Sequence, residues 1–365
     1  MIKILDSTPR QDGFRMPGEF EPHKQCWMLW PSRPDTWRQL AQPAQHAFAQ
    51  VARTISSLEP VTVGASASLL HTARLMLPAH IQVLEIESND AWMRDVGPTF
   101  LVDDNGNVRG VDWEFNAWGG IYPDYTLDNQ VAAQVLEIAN LAGYRTSGFV
   151  LEGGSFHVDG QGSLITTEEC LLNPNRNPGL SRSQIETWLC EYLNVETIIW
   201  LSRGVNHDET SGHIDNLCCF IRPGVVALTW CDDPSDPMYE ISREAYEQLS
   251  LSQDARGRRL QIHTIHQPAP MFITPAESLG ILSSPGTLAR PAGTRLAGSY
   301  VNFYIANGGL VVPIFEDKYD QPALATLQAL FPERRVIGIP GREILLGGGN
   351  IHCITQQQPQ GRVIC

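Results

Sequence analysis

The stretch Phe100-Leu101-Val102-Asp103-Asp104-Asn105-Gly106-Asn107-Val108-Arg109-Gly110-Val111-Asp112-Trp113 decides the fold. Two β-rich runs, Phe100–Asp103 and Val108–Trp113, flank Asp104-Asn105-Gly106. A glycine after Asn accepts positive φ cheaply, so the segment reads as a β-hairpin. The same pattern recurs: Ser155–Val158 and Ser163–Thr166 flank Asp159-Gly160, and Leu217–Ile221 and Val225–Trp230 flank Arg222-Pro223-Gly224. Tyr300–Ala306 and Leu310–Phe315 flank Asn307-Gly308-Gly309, and a weaker fifth case places Ile354-Thr355 before Gln358-Pro359-Gln360-Gly361.

Helical periodicity follows most hairpins. Asp128 is positioned to cap a helix with the stripe Val131, Val135, Ile138 and Leu141, closed by Gly143. Ser183-x-x-Glu186 reads as a capping box ahead of Trp188, Leu189 and Tyr192. Ile241, Ala245 and Leu249 mark a third helix, Leu324, Leu327 and Leu330 a fourth, and Phe48, Val51, Ile55 and Leu58 an earlier one. A β-rich run comes after each: Val61–Val63, Thr146–Leu151, Thr197–Trp200, Gln261–Ile265 and Arg335–Ile339. The chain therefore reads as about five copies of hairpin, helix and strand, with a period longer than the common solenoids use. A closed ring of such units would leave no exposed sheet edge. An open doubly wound sheet is the competing topology, but hairpins demand an antiparallel pair in every unit.

Composition narrows the function classes. The 365 residues carry 42% hydrophobic and 18% charged residues with nine Trp and nine Tyr, which excludes intrinsic disorder. No linker or low-complexity tract divides positions 1–365, so one domain is expected. A net charge of −14 repels nucleic acid and draws in a small cation. Met1-Ile2-Lys3-Ile4-Leu5-Asp6 turns polar before any apolar stretch long enough for export, and no run is long enough to span a bilayer. The eight cysteines, Cys26, Cys170, Cys190, Cys218, Cys219, Cys231, Cys353 and Cys365, contain no C-x-x-C pair, as expected of a reduced cytoplasmic chain without zinc spacing. Assembly into a homo-oligomer is compatible with the sequence but not encoded legibly in it.

The repeat sets a polar residue just before or at the start of each hairpin: Asp95, Glu152, His213, the Ser299/Asn302 region and Cys353. Arranged about an axis, equivalent strand starts converge, and a thiol, an imidazole and carboxylates would share one centre. Each residue has an ordinary alternative. Cys353 could be a small buried hydrophobe, though Gly347-Gly348-Gly349 upstream allows close backbone approach to a ligand. His213 and Asp215, spaced H-x-D, fall on one strand face by period two and could be a structural pair. Arg94–Asp95 could be a surface ion pair, Glu152 a turn cap, and Trp92 and Trp118 core residues, although indoles also wall cation sites. H-E-x-x-H is absent, and no metal site is expected.

These residues together resemble the agmatine deiminases, a bacterial peptidylarginine deiminase-like family of the guanidino-group-modifying (pentein) superfamily. The resemblance runs from Met16-Pro17-Gly18-Glu19-Phe20-Glu21-Pro22-His23 through Trp92-Met93-Arg94-Asp95-Val96-Gly97-Pro98, Glu152-Gly153-Gly154 and Gly212-His213-Ile214-Asp215. It ends on Gly347-Gly348-Gly349-Asn350-Ile351-His352-Cys353-Ile354-Thr355-Gln356-Gln357-Gln358-Pro359, the most specific string.

The resemblance implies a five-fold pseudosymmetric α/β propeller and hydrolysis of agmatine to N-carbamoylputrescine and ammonia, a step toward putrescine from arginine. It assigns the nucleophile to Cys353, the acid–base role to His213, and the site carboxylates to Asp95, Glu152 and Asp215. Asp95 and Asp215 would hold the planar guanidinium. Glu152 would orient the imidazole. It assigns the distal amine to Glu209, with Trp92 and Trp118 lining the passage. No metal or organic cofactor is called for. Alternatives are a peptidylarginine or free-arginine deiminase of the same fold, a papain-like Cys–His hydrolase (whose motif is absent), and a non-catalytic binding module.

Overall fold

The computed structural model describes residues 3–361; Met1 and Ile2 of the N-terminal reading, and Cys365, lie outside the described residues. Glycine-containing turns close the first strand pair of four units as the sequence suggests. Thr99–Val102 runs antiparallel to Val108–Glu114, which runs parallel to Gly143–Val150. Phe156–Val158, Ser163–Thr167 and Thr197–Leu201 repeat the arrangement, as do Cys218–Arg222, Val225–Trp230 and Gln261–His266. A fourth copy is Tyr304–Ala306, Gly309–Ile314 and Arg335–Pro340. The result is a mixed α/β protein of small separate sheets rather than one continuous open sheet.

The fifth unit differs from the expectation. Ile354-Thr355 lies in a turn, and Gln356–Pro359 makes no local hairpin. It pairs antiparallel with His23–Leu29 from the other end of the chain, which then runs parallel to Val61–Ala65, itself beside Gln82–Glu85. Gln358 fastens this closure, its Oε1 accepting from Trp27 Nε1 at 3.0 Å and Gln25 Nε2 at 2.8 Å. A strand of three glutamines carries no β-branched signal, and its partner is too far away in sequence for a turn to announce it.

Helices cover the sheets. Gln42–Ser56 buries Phe48, Val51 and Ile55, while Leu58 falls beyond its end. The capping box is Ser181 with Gln184, not Ser183 with Glu186. Two overlapping S-x-x-[E/Q] patterns compete there, and Glu186 instead accepts from Trp200 Nε1 at 2.9 Å. Helix Arg182–Leu193 lays Ile185, Leu189 and Leu193 into a core shared with Val111, Trp113, Phe149 and Leu164. Full burial of each aliphatic side chain contributes roughly 1.5–3 kcal/mol. Asp128 does not cap its helix with its side chain; its Oδ1 accepts the Asn89 and Asp90 N–H groups. That helix stops at Ile138 because Asn140 turns left-handed (φ 54°), and Gly143 opens the next strand. Among the described residues no helix is long and apolar enough to cross a membrane.

Candidate active site

In five of the six sheets an edge strand is preceded closely by one of the singled-out residues: Asp95 before Thr99, Glu152 before Phe156, His213 before Cys218, Asn302 before Tyr304, and Cys353 before Gln356. The strand starts converge. A methyl group placed on Gly154 would lie 2.6 Å from His213 Nδ1, 2.9 Å from Asp215 Oδ2 and 3.0 Å from Asp95 Oδ1. Only hydrogen at that α-carbon lets an imidazole and two carboxylates from two other units meet there. Cys353 Sγ joins them, 3.4 Å from Asp215 Oδ2 and 3.2 Å from Asn302 Nδ2.

Local structure aims each group. Asp95 sits in the helical turn Met93–Val96; its Oδ1 accepts Gly154 N–H and its Oδ2 accepts Trp118 Nε1–H, both at 2.9 Å. Trp118 and Ala117 adopt left-handed φ values of 51° and 55° to deliver that indole. Such backbone costs on the order of 1–3 kcal/mol per residue and persists where surrounding contacts over-determine it. His213 and Asp215 do not share a strand face. His213 sits at the N-cap of the 3-10 turn Ile214–Asn216 and Asp215 lies within it, a different geometry from the period-two expectation. Glu152, fully buried, is clamped by Arg176 Nε on Oε1 at 2.6 Å, while its Oε2 lies 4.0 Å from His213 Nε2.

Five of the eight sequence candidates, Trp92, Asp95, Trp118, Glu209 and Cys353, line one pocket of about 320 Å³ including its open mouth. His213, Glu152 and Asp215 are buried close behind Asp95 and Cys353. Trp92 stacks on Trp37 with ring centroids 5.1 Å apart and meets Trp118 edge-on at 6.5 Å. Gly349 brings the chain against both, since a Cβ there would lie 2.7 Å from Trp92 and 2.9 Å from Cys353 Sγ. Arg94 and Asp95 are not a surface pair. Arg94 is buried on Glu19 at 3.0 Å.

Glu209 is not free. Both its oxygens accept from Arg290 at 2.5 Å, and the same guanidinium donates to the carbonyls of Leu346 and Gly347. Arg290 lies in a Pro- and Gly-rich segment with no periodic signal, so sequence reading passed it over. Arg176, Glu19 and Arg94 were missed as partners for the same reason: no short spacing connects them to the groups they hold.

His352 was quoted in the glycine-rich string but given no role. Its Nδ1 faces Asp215 Oδ2 at 2.9 Å and its Nε2 faces Glu19 Oε1 at 2.9 Å. Two carboxylates require two N–H donors, which makes this ring an imidazolium. Neighbouring His157 differs: its Nδ1 accepts Phe220 N–H, so its Nε2 carries the proton toward Glu19.

Electrostatics follow from this packing. Burial pushes Asp95 up to about 6, with Asp215 and Glu152 adding repulsion and His213 opposing. Burial works against a charged His213, but Asp95, the Cys170 sulfur and Glu152 outweigh it and hold the imidazole well above its ordinary value. Burial would raise Asp215, yet its bond to His352 brings it below the ordinary range. Burial, with Asp215 and Asp95 beside it, pushes the Cys353 thiol well above its ordinary value.

A thiol, an imidazole and three carboxylates in one largely buried cleft are the equipment of a cysteine hydrolase for a planar cation. Residues 15–359 match the family described as Porphyromonas-type peptidyl-arginine deiminase, and the chain belongs to that family. It is 57% identical over 361 residues to an agmatine deiminase of Pseudomonas aeruginosa, covering 98% of both chains, and 57% identical over 363 residues to one of Stutzerimonas stutzeri, covering 98% of this chain and 99% of that one. The solved agmatine deiminase of Enterococcus faecalis superposes with a TM-score of 0.96 at 47% identity, covering 99% of this chain and 100% of that one.

Proposed function

We propose that this protein hydrolyses agmatine to N-carbamoylputrescine and ammonia, acting in the cytoplasm on the route from arginine to putrescine. The observation that carries the reading is the convergence on Gly154. The imidazole and both carboxylates surround one point, with the thiol 3.4 Å from Asp215. Asp95 and Asp215 take the guanidinium through charge-assisted bonds. The incoming cation lowers the thiol pKa, the Cys353 proton passes to solvent, and the thiolate attacks the guanidinium carbon. His213, charged at that stage, protonates the departing nitrogen, and ammonia leaves an S-alkylthiouronium on Cys353. The now neutral imidazole removes a proton from water; its oxygen adds to the same carbon, and as the C–S bond breaks the remaining hydroxyl proton passes to the departing sulfur, releasing the ureido product and the Cys353 thiol. Glu152, held by Arg176, keeps the imidazole oriented.

Substrate choice rests on Glu209 as the anion for the distal ammonium. Arg290 is the cation on the pocket wall that could take the α-carboxylate of free arginine, but its outer nitrogens are already given to Glu209. That favours agmatine over arginine. We extend the reading to the architecture: one domain over residues 1–365, its sheets set about a five-fold pseudosymmetry axis as a propeller, because each first strand presents its site residue to the same centre. A coupled ammonia assay with agmatine, free arginine and a peptidyl-arginine tests it. Turnover of agmatine alone is expected, and turnover of peptidyl-arginine alone would overturn it.

A further inference from the structure

Behind the pocket, three metal-ligating side chains from separate parts of the chain meet. Cys170 Sγ, a ring nitrogen of His213 and a carboxylate oxygen of Glu152 all lie within 4.8 Å of one another, and all three residues are buried. Cys170 comes from the helical turn Glu168–Leu171, and no bond of the reaction described above forms or breaks at its sulfur. Among the described residues, both ring nitrogens of His213 and Oε2 of Glu152 are fully buried with no hydrogen-bond partner.

A second cluster of similar make-up, Glu19, His157 and His352, serves as a contrast. There every donor is engaged: His157 Nδ1 by Phe220 N–H, both His352 nitrogens by carboxylates, and Glu19 also by Arg94. Nothing in that cluster is open to an ion. In the first cluster the His213 ring nitrogens and Glu152 Oε2 have no partner, and Cys170 Sγ reaches only the Thr210 carbonyl at 4.0 Å.

We propose that Glu152, Cys170 and His213 form an inhibitory site for one thiophilic divalent cation of the zinc class. Sulfur, imidazole and carboxylate make a borderline-soft donor set that suits Zn²⁺ or Co²⁺ and not Mg²⁺ or Ca²⁺. The geometry is close to what such an ion needs. Zinc bonds of about 2.0–2.3 Å in a tetrahedron put ligand atoms about 3.4 Å apart. His213 Nε2 and Glu152 Oε2 stand at 4.0 Å, so they close by a few tenths of an ångström. Arg176 holds the other Glu152 oxygen at 2.6 Å and fixes the carboxylate as an outer-shell partner does. Water fills the fourth position.

Charge balance makes the exchange cheap despite burial. Without metal the cluster holds a thiol, an imidazolium and a carboxylate, which sum to zero. With metal it holds a thiolate, a neutral imidazole, a carboxylate and a dication, again zero. One M²⁺ enters and two protons leave, one from Cys170 and one from His213. Asp95 lines the pocket and lies 3.9 Å from His213 Nδ1, giving the ion an anionic step inward. The bound ion holds the lone pair with which His213 would take a proton from water, so hydrolysis stops. No C-x-x-C or H-x-x-H spacing announces this site, because its ligands come from positions 152, 170 and 213.

Binding stands apart from the reaction, whereas inhibition rests on the acid–base role of His213, and the experiment separates the two. The full-length Cys353→Ala variant is titrated with Co²⁺ and followed by absorption. A thiolate-to-cobalt charge-transfer band with tetrahedral d–d bands, at one equivalent and with release of two protons, is expected whether or not agmatine is the substrate. Adding Cys170→Ala, or Cys170→Ser should the alanine variant fold poorly, abolishes the band. In the otherwise native enzyme, Cys170→Ala loses sensitivity to Zn²⁺ on the order of 100-fold, read as inhibited against metal-free turnover of the same variant, as expected for removing one of three protein ligands. A band that survives loss of Cys170, a band seen only when Cys353 is present, no band at all, or unchanged Zn²⁺ inhibition in Cys170→Ala overturns the proposal.

Discussion

Glu209→Gln separates two jobs of one carboxylate, the proposed capture of the substrate amine and the pairing with Arg290. As the proposed anion for agmatine's distal ammonium, Glu209 would contribute a charge-assisted hydrogen bond of about 1.5–3 kcal/mol, or roughly 10–150-fold in affinity. As the partner of Arg290 it also has a structural task, because the Arg290 side chain is 2% exposed and that of Glu209 20%. Removing the carboxylate charge strands a buried guanidinium, and breaking a buried pair this way costs about 3–5 kcal/mol. The amide retains one acceptor oxygen, so the loss should fall toward the lower figure. Urea unfolding and the coupled ammonia assay read the two effects separately. Adding Arg290→Met removes the stranded charge. We expect the double variant to recover much of the lost stability but not the agmatine kcat/KM, and Cys353 to react with iodoacetamide in both variants as in the parent. If the double variant regains parental kcat/KM for agmatine, Glu209 serves only to satisfy Arg290, and the amine anchor lies elsewhere.

Three further outcomes are expected. Cys353→Ser should lower turnover by orders of magnitude with unchanged unfolding, and intact-mass analysis of the parent should trap an adduct on Cys353; near-parental turnover in the serine variant would remove the covalent mechanism. Asp95 must be ionised to hold the guanidinium and titrates at about 6, so kcat/KM for agmatine should fall about tenfold per pH unit below that value and level off above it; a flat acid limb down to pH 4 would contradict this. His352→Gln replaces the imidazolium that keeps Asp215 below the ordinary carboxylate range, so Asp215 should bind protons more readily and KM for agmatine should rise more than kcat falls. A KM and acid limb matching the parent would show that His352 has no hold on Asp215.

The division between sequence and structure follows the range of the interactions. Hairpins such as Phe156–Val158 with Ser163–Thr167 were legible because a turn of positive φ and two β-rich runs are local signals, complete within a dozen residues. Repetition of that signal placed Asp95, Glu152, His213 and Cys353 at equivalent strand starts, and the resemblance carried by Gly347 to Pro359 supplied their chemistry. The closing pair, Gln356–Pro359 on His23–Leu29, was illegible because its two halves are separated by nearly the whole chain and its glutamines carry no strand propensity. The partners that tune the site were hidden for a related reason. Arg176 on Glu152, Arg290 on Glu209, His352 between Glu19 and Asp215, and Cys170 beside His213 are each set by where units meet, not by spacing within one. Charge state depends on burial and on the neighbours of each group, and both exist only once the chain has folded. The sequence thus determined which reactive groups this protein carries, and the tertiary structure alone decided which of them are charged, clamped or left open.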